Sequence, residues 1–270
     1  MGCVESWGAF PPTNDVFEVI ADNMLNLELL WFAGTYSHNQ TILDIANSHT
    51  RRMMKDLFQP AAMSGGGCVW HLLTYSYSTG ELRNRSSTPQ GLGLDTVWSR
   101  GQAWVVNGFA IAHRFTGDLS YLAQAQSAAE CYIRKVSACC GGSSGFSWAP
   151  LWDFSVANPG PQVAVDTSAA MIAADGIIEI AWRSDAATRA RYLAFAKASI
   201  DAVLAQYTFA PAANDAVLNN GTTSWPNSGI SIIYADYYLL EAAMRWDSTP
   251  SAWRAEAADF VARNGESFVA

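Results

Sequence analysis

The sequence predicts an all-α domain of helices paired into hairpins, and three observations carry that prediction. Apolar residues recur at three- and four-residue steps along most of the chain, a spacing that gathers them on one helix face. Helix stop and start signals fall close together, as at Thr116-Gly117-Asp118, where a glycine can end one helix and an aspartate can cap the next. Strand character is confined to one short segment.

Phe17, Ile20, Met24, Leu27 and Trp31 predict the buried stripe of a first helix. Ile42, Ile45, Met53 and Leu57 predict a second, which Pro60 ends. Val69 to Tyr77, the turn Ser78-Thr79-Gly80 and Glu81-Leu82 predict the one hairpin of strands. Residues 98–115 and 119–136 form a helical pair, residues 166–183 and 186–207 another, and 231–246 a further helix. A weaker helix spans about 250–263, with Pro250 at its first turn. The glycine- and serine-rich stretches 64–67 and 141–145 and the polar stretch 208–230 are loops. None is a domain linker, because helical pairs continue on both sides, so one domain over 1–270 is expected. Helical hairpins in series close either a solenoid or a toroid, and the lack of a clean repeat argues against the solenoid.

With 270 residues, half of them hydrophobic and 15% charged, the chain can bury a sizeable core. A net charge of −8 disfavours nucleic-acid and anionic-membrane surfaces, and an anionic ligand needs a local arginine to receive it. No apolar run is long enough to span a membrane. The opening residues do not follow the signal-peptide pattern, and the compartment is left open. Met1-Gly2-Cys3-Val4-Glu5-Ser6 fits the short myristoylation pattern, and Asn39, Asn84 and Asn220 head glycosylation sequons that matter only in a secreted protein. The cysteines Cys3, Cys68, Cys131, Cys139 and Cys140 are odd in number and lack metal-type spacing. Neither a zinc site nor a disulfide framework is expected, and Cys139 and Cys140 read as ordinary small loop residues.

Four segments could carry chemistry. Asp22 lies in the apolar run Ala21-Asp22-Asn23-Met24-Leu25-Asn26-Leu27, with Asn26 on its face if the run is helical. Apolar surroundings raise a carboxyl pKa and suit a general acid, whereas an Asp near a helix start can equally be a dipole-stabilised structural residue. The stretch from Gln90 to Trp104 is a glycine-rich loop entering a helix at Trp98-Ser99-Arg100-Gly101-Gln102-Ala103-Trp104. Arg100 can clamp a carboxylate through two parallel hydrogen bonds, and Trp98 and Trp104 can stack on a sugar or pack into the core. His71 follows Trp70 on the strand segment, where a structural hydrogen bond competes with catalysis. Asp166-Thr167-Ser168 reads as a helix N-cap and Asp153 as a turn former.

Together these segments resemble the unsaturated glucuronyl hydrolase family (glycoside hydrolase family 88). The resemblance runs from Glu5-Ser6-Trp7 to Ile233-Tyr234-Ala235-Asp236-Tyr237-Tyr238-Leu239-Leu240-Glu241. Its most specific parts are Asp22-Asn23-Met24-Leu25-Asn26-Leu27 and Trp98 to Trp104, joined by Trp152-Asp153-Phe154 and Asp166-Thr167-Ser168-Ala169-Ala170. It implies an (α/α)6 toroid that removes a 4,5-unsaturated uronate from the non-reducing end of lyase-generated oligosaccharides, with no metal and no cofactor. An Asp there acts as general acid and base while water adds across C4=C5, unlike the two-carboxylate displacement of ordinary glycosidases. By position, Asp22 matches that Asp. His71, Gln90, Trp98, Arg100 and Trp104 match ligand-contacting residues, and Ser228 and Ser231 fall where the next subsite is built.

Two departures accompany the resemblance. Ala235 stands where the family has a glycine. The family also has a second active-site Asp upstream of the first, whereas here only Asp15, in a Pro- and Asn-rich turn, precedes Asp22. The first helices of the toroid are therefore expected to be missing and the ring incomplete. Two alternatives accompany this reading. One is an unsaturated rhamnogalacturonyl hydrolase, disfavoured by Gln102-Ala103 where that group has Asn-Gly. The other is a non-catalytic carbohydrate-binding remnant.

Overall fold

Every residue of one helix, Thr167–Ala181, is buried, and the rest of the chain is arranged around it. The computed structural model describes residues 2–7, 14–86, 90–141, 148–157, 163–210 and 215–269. In chain order its elements are β1 (Val16–Ile20), α1 (Asn23–Tyr36), α2 (Gln40–Asp56), the single turn α3 (Ala61–Ser64), β2 (Leu72–Ser76), β3 (Leu82–Ser86), α4 (Ser99–Thr116), α5 (Leu119–Cys140), α6 (Thr167–Ala181), α7 (Ala186–Gln206), α8 (Ile233–Ser248) and α9 (Ser251–Asn264). Helices α1, α4, α6 and α8 pack side by side as an inner row. Helix α2 backs α1, α5 backs α4, α7 backs α6, and α9 lies against α7. This is an arc of an α/α toroid, mostly helical as the sequence predicts.

Local chemistry starts and stops the helices. The carboxylates of Asp118, Asp166 and Asp185 accept backbone N–H bonds at the heads of α5, α6 and α7, and Asn39 does the same for α2. Gly117 ends α4 with a left-handed φ of 70°, a conformation glycine adopts without a Cβ clash. The inner helices approach closely at two glycines. A Cβ on Gly108 of α4 would lie 2.4 Å from Met24 Cβ of α1, and one on Gly176 of α6 would lie 2.7 Å from Asn107 Cα of α4. At the ends of the row, α1 exposes Leu29, Phe32 and Tyr36, and α8 exposes Ile233, Tyr237, Leu240 and Met244.

Three sequence expectations are corrected. Phe17 and Ile20 do not continue the stripe of α1. Val16–Ile20 is rich in β-branched and aromatic residues and forms β1, so a strand's alternation and a helix's period ran together across the Asp22 turn. The expected hairpin is consequently a three-stranded antiparallel sheet in the order β1-β2-β3, with Phe17 opposite Tyr75 and Ile20 opposite Leu72. Cysteine pairing was also missed. Cys68 and Cys131 form a disulfide that ties the segment before β2 to α5, and neighbouring Cys139 and Cys140 form another. Residues 142–145 and 211–214 of the expected loops lie outside the described residues. The polar stretch after 215 includes a tight hairpin in which Gly221 and Ile230 exchange both backbone hydrogen bonds.

Candidate active site

The inner helices α1, α4 and α6 begin at one end of the arc, and there contacts run from Asp22 through His71 and Trp98 to Arg100 and Asp166. Asp22 occupies the N-cap position of α1 rather than its interior, yet its side chain accepts no capping bond. Asn26, expected to share its face, is exposed one turn on. The Asp22 carboxylate lies 2.8 Å, through Oδ2, from His71 Nε2, with 28% of the Asp22 side chain exposed and the His71 side chain buried. The sheet sets this pair. Ala21 N–H donates to the His71 carbonyl at 2.9 Å, and His71 N–H donates to the Ser86 carbonyl at 3.2 Å. On the other side of the turn, Asn23 donates to the Val4 carbonyl and accepts from the Ser6 hydroxyl, which fixes the entry to α1.

His71 packs against Trp98 with ring centroids 4.3 Å apart, and Trp7 meets its edge at 6.4 Å. Trp98 also meets the Arg100 guanidinium, 4.5 Å from the ring centroid. Both Trp98 and Trp104 are buried, Trp104 against Tyr234 and Tyr238, so neither offers an open face. Burial also raises the Tyr234 hydroxyl pKa above its ordinary value of 10.0.

Arg100, expected to clamp an external carboxylate, has an internal one. It is 2% exposed, and its Nη1 donates to the Asp166 carboxylate, to the Thr222 carbonyl at 2.6 Å and to the Ser168 hydroxyl at 3.3 Å. Its Nη2 donates to the Thr223 carbonyl at 2.9 Å. Asp166 is thus both the N-cap of α6 and the partner of Arg100. The sequence supplied the cap but not the pairing, because 66 residues separate the two partners.

Two more polar residues act as supports. Buried Asp153 accepts from Leu92 N–H and the Thr96 hydroxyl, which holds the loop carrying half-buried Gln90. Gln102 accepts from Val69 N–H and donates to the carbonyls of Gly67 and Ala128, which seats the segment leading to His71 on α5. Ser228, half-buried, lies on the Gly221–Ile230 hairpin, and exposed Ser231 follows it. Among the described residues, no group of three or more His, Cys, Asp or Glu side chains is placed to hold a metal ion. What the arrangement offers is a partly exposed carboxylate on a buried imidazole, suited to proton transfer.

No family model matches the chain. Among characterised proteins it is similar to the unsaturated glucuronyl hydrolase of Formosa agariphila, 32% identical over 237 residues, covering 85% of this chain and 54% of that protein. It is also similar to the unsaturated glucuronyl hydrolase of Bacillus sp. (strain GL1), 28% identical over 90% of this chain and 62% of that one. In three dimensions it superimposes on an unsaturated glucuronyl hydrolase specific for heparin, with a TM-score of 0.81 and 27% identity, covering 92% of this chain and 63% of that one. The chain therefore spans 54% to 62% of the length of these two characterised relatives.

Proposed function

Because this chain belongs to the unsaturated glucuronyl hydrolase family, we propose that its site releases a 4,5-unsaturated glucuronate from the non-reducing end of an oligosaccharide, with Asp22 moving the proton. The observation that carries this reading is the pairing of Asp22, partly open to solvent, with buried His71 at 2.8 Å. C5 of the unsaturated sugar bears the ring oxygen, so a proton delivered to C4 leaves a cation that this oxygen stabilises. Asp22, protonated, delivers that proton. The resulting carboxylate takes one from the water that bonds to C5. Hydroxide and proton have then added across C4=C5, and C5 is a hemiketal. Its opening to a ketone frees C1, which expels the rest of the oligosaccharide as an alcohol. His71 holds the carboxylate in one rotamer throughout. Arg100 serves the substrate through the hairpin whose carbonyls it binds, which carries Ser228 towards the second sugar.

A second reading, sugar binding without hydrolysis, is favoured by one observation: the described side-chain hydrogen bond of Asp22 is to the His71 imidazole and not to a second acid. One experiment separates the two. Incubation with an unsaturated disaccharide should abolish the absorbance of the conjugated C=C bond, and the Asp22→Asn variant should not. Binding of the disaccharide with its absorbance unchanged would establish the second reading.

A further inference from the structure

The structure assigns Asn39 as an attachment site for an N-linked oligosaccharide. Asn39-Gln40-Thr41 is one of three sequons, beside Asn84-Arg85-Ser86 and Asn220-Gly221-Thr222. The triplet alone says little, because the transferase must hold the Asn amide and the hydroxyl two residues on at once. Of the three, Asn39-Gln40-Thr41 alone has both ends exposed. On β3, Asn84 is exposed but Ser86 is buried. Asn220 is half-buried, and buried Thr222 donates its hydroxyl to the Val165 carbonyl at 2.8 Å.

Three features go beyond the motif. The first is the state of the amide. Asn39 caps α2 through Oδ1, which accepts from Thr41 N–H at 3.0 Å, and among the described residues its Nδ2 donates no hydrogen bond. The donor is an oligosaccharide on a lipid diphosphate. Nδ2 bonds to C1 of the first sugar, the bond from C1 to the phosphate oxygen breaks, the lipid diphosphate leaves with the electron pair, and one amide proton passes to a carboxylate of the transferase. Oδ1 remains a carbonyl oxygen, so the cap of α2 survives the modification. The second feature is the surface around it. His38 is left-handed with a φ of 53°, and Asn39 N–H donates to the Gly34 carbonyl at 2.9 Å, so the amide stands on a tight turn in an exposed stretch, Thr35 to Thr41. Tyr36, three residues before Asn39, is 81% exposed and stacks on exposed Phe32, with centroids 6.1 Å apart and rings 12° from parallel. An open aromatic face there suits the apolar C–H face of a first sugar. The third feature is the pair of disulfides, Cys68–Cys131 and Cys139–Cys140. Such bonds form and persist in oxidising compartments, and the lumen in which N-linked sugars are added is one of them.

The test reads occupancy, and neither of its measurements depends on turnover. Peptide mapping of the protein purified from its own source, with peptide-N-glycosidase acting in heavy-oxygen water, leaves a labelled aspartate wherever a glycan stood. Label is expected at position 39 in most molecules and not at position 220. The same chain secreted from a eukaryotic host should show a mobility step that the enzyme removes. Thr41→Ala and Gln40→Pro should each lose one such step, since the first removes the hydroxyl and the second places proline inside the sequon. Both keep Asn39 and its cap, because alanine retains the backbone N–H and proline is accommodated at the first helical position. Chain retained in the cells is run beside secreted chain, so a variant that misfolds still reports. An unlabelled Asn39 in the source protein, or a full set of mobility steps in both variants, would overturn the assignment, whatever the state of Asn84.

Discussion

Arg100 and Asp166 form an ion pair with both side chains buried, and the same guanidinium binds two carbonyls of a hairpin more than a hundred residues further along the chain. Leaving one member of such a pair alone in the interior costs about 3–5 kcal/mol. Arg100→Ala should therefore lower the melting temperature markedly and speed proteolytic cleavage within 221–230. A thermal melt and limited proteolysis check both. An Arg100→Ala chain as stable as wild type, with only weakened uronate binding, would return Arg100 to the role of a direct carboxylate clamp.

Asp22→Asn should reduce kcat by ~10²–10⁴-fold and keep ligand binding, because the amide is nearly isosteric but moves no proton. His71→Gln should give a smaller loss, since it disturbs the orientation of the carboxylate and not its chemistry. Steady-state kinetics on an unsaturated disaccharide decide the matter. A His71 variant as impaired as Asp22→Asn would make the imidazole a proton carrier in its own right.

Stability should fall with acid because of His49. This residue is fully buried on α2, its Nδ1 accepts from Val4 N–H at 3.0 Å, and burial lowers its pKa from 6.5 to about 4. Its folded pKa is depressed, so the unfolded chain binds the proton first. The contribution is complete above pH 6.5 and is lost progressively towards pH 4, by about 3 kcal/mol in total. Buried Asp175, its carboxyl raised to about 7, works in the opposite direction. The measurement is accordingly the wild-type stability minus that of His49→Asn across this range. A difference that does not change with pH would show that His49 is not held neutral.

The two disulfides should differ in what they contribute. Cys68–Cys131 spans 63 residues, and closing a loop of that size restricts the unfolded chain by about 4 kcal/mol. Cys139–Cys140 joins neighbours and closes no loop of consequence. Cys68→Ser should lower the unfolding midpoint clearly and Cys139→Ser hardly at all, as denaturant titrations would show. Equal effects would mean that Cys68 and Cys131 are not bonded in solution.

The paired helices were legible because Asp118 and Gly117 write their boundaries into adjacent positions. The segment around Asp22 was half legible. Its chemistry shows in the residue type, but its place does not, since Phe17, Ile20 and Met24 satisfy a helical period although the first two lie on β1. Pairings over long separations were not legible. Nothing near Arg100 announces Asp166, and nothing near Cys68 announces Cys131, because the partners meet only once α4 has packed against α5 and α6. The supporting roles of Asp153 and Gln102 were hidden for the same reason.

The inner helices α1, α4 and α6 all start at the end where Asp22, Arg100 and Asp166 lie, so their peptide dipoles point the same way. Each helix start carries roughly half a positive elementary charge. In a chain with a net charge of −8, the backbone thus adds a positive contribution at this end beside the Asp22 carboxylate, while the buried arginine there is paired with Asp166. Peptide dipoles do not titrate. Their pull on an anion is set when the chain folds, persists across the pH range in which carboxylates and imidazoles change charge, and weakens chiefly with added salt.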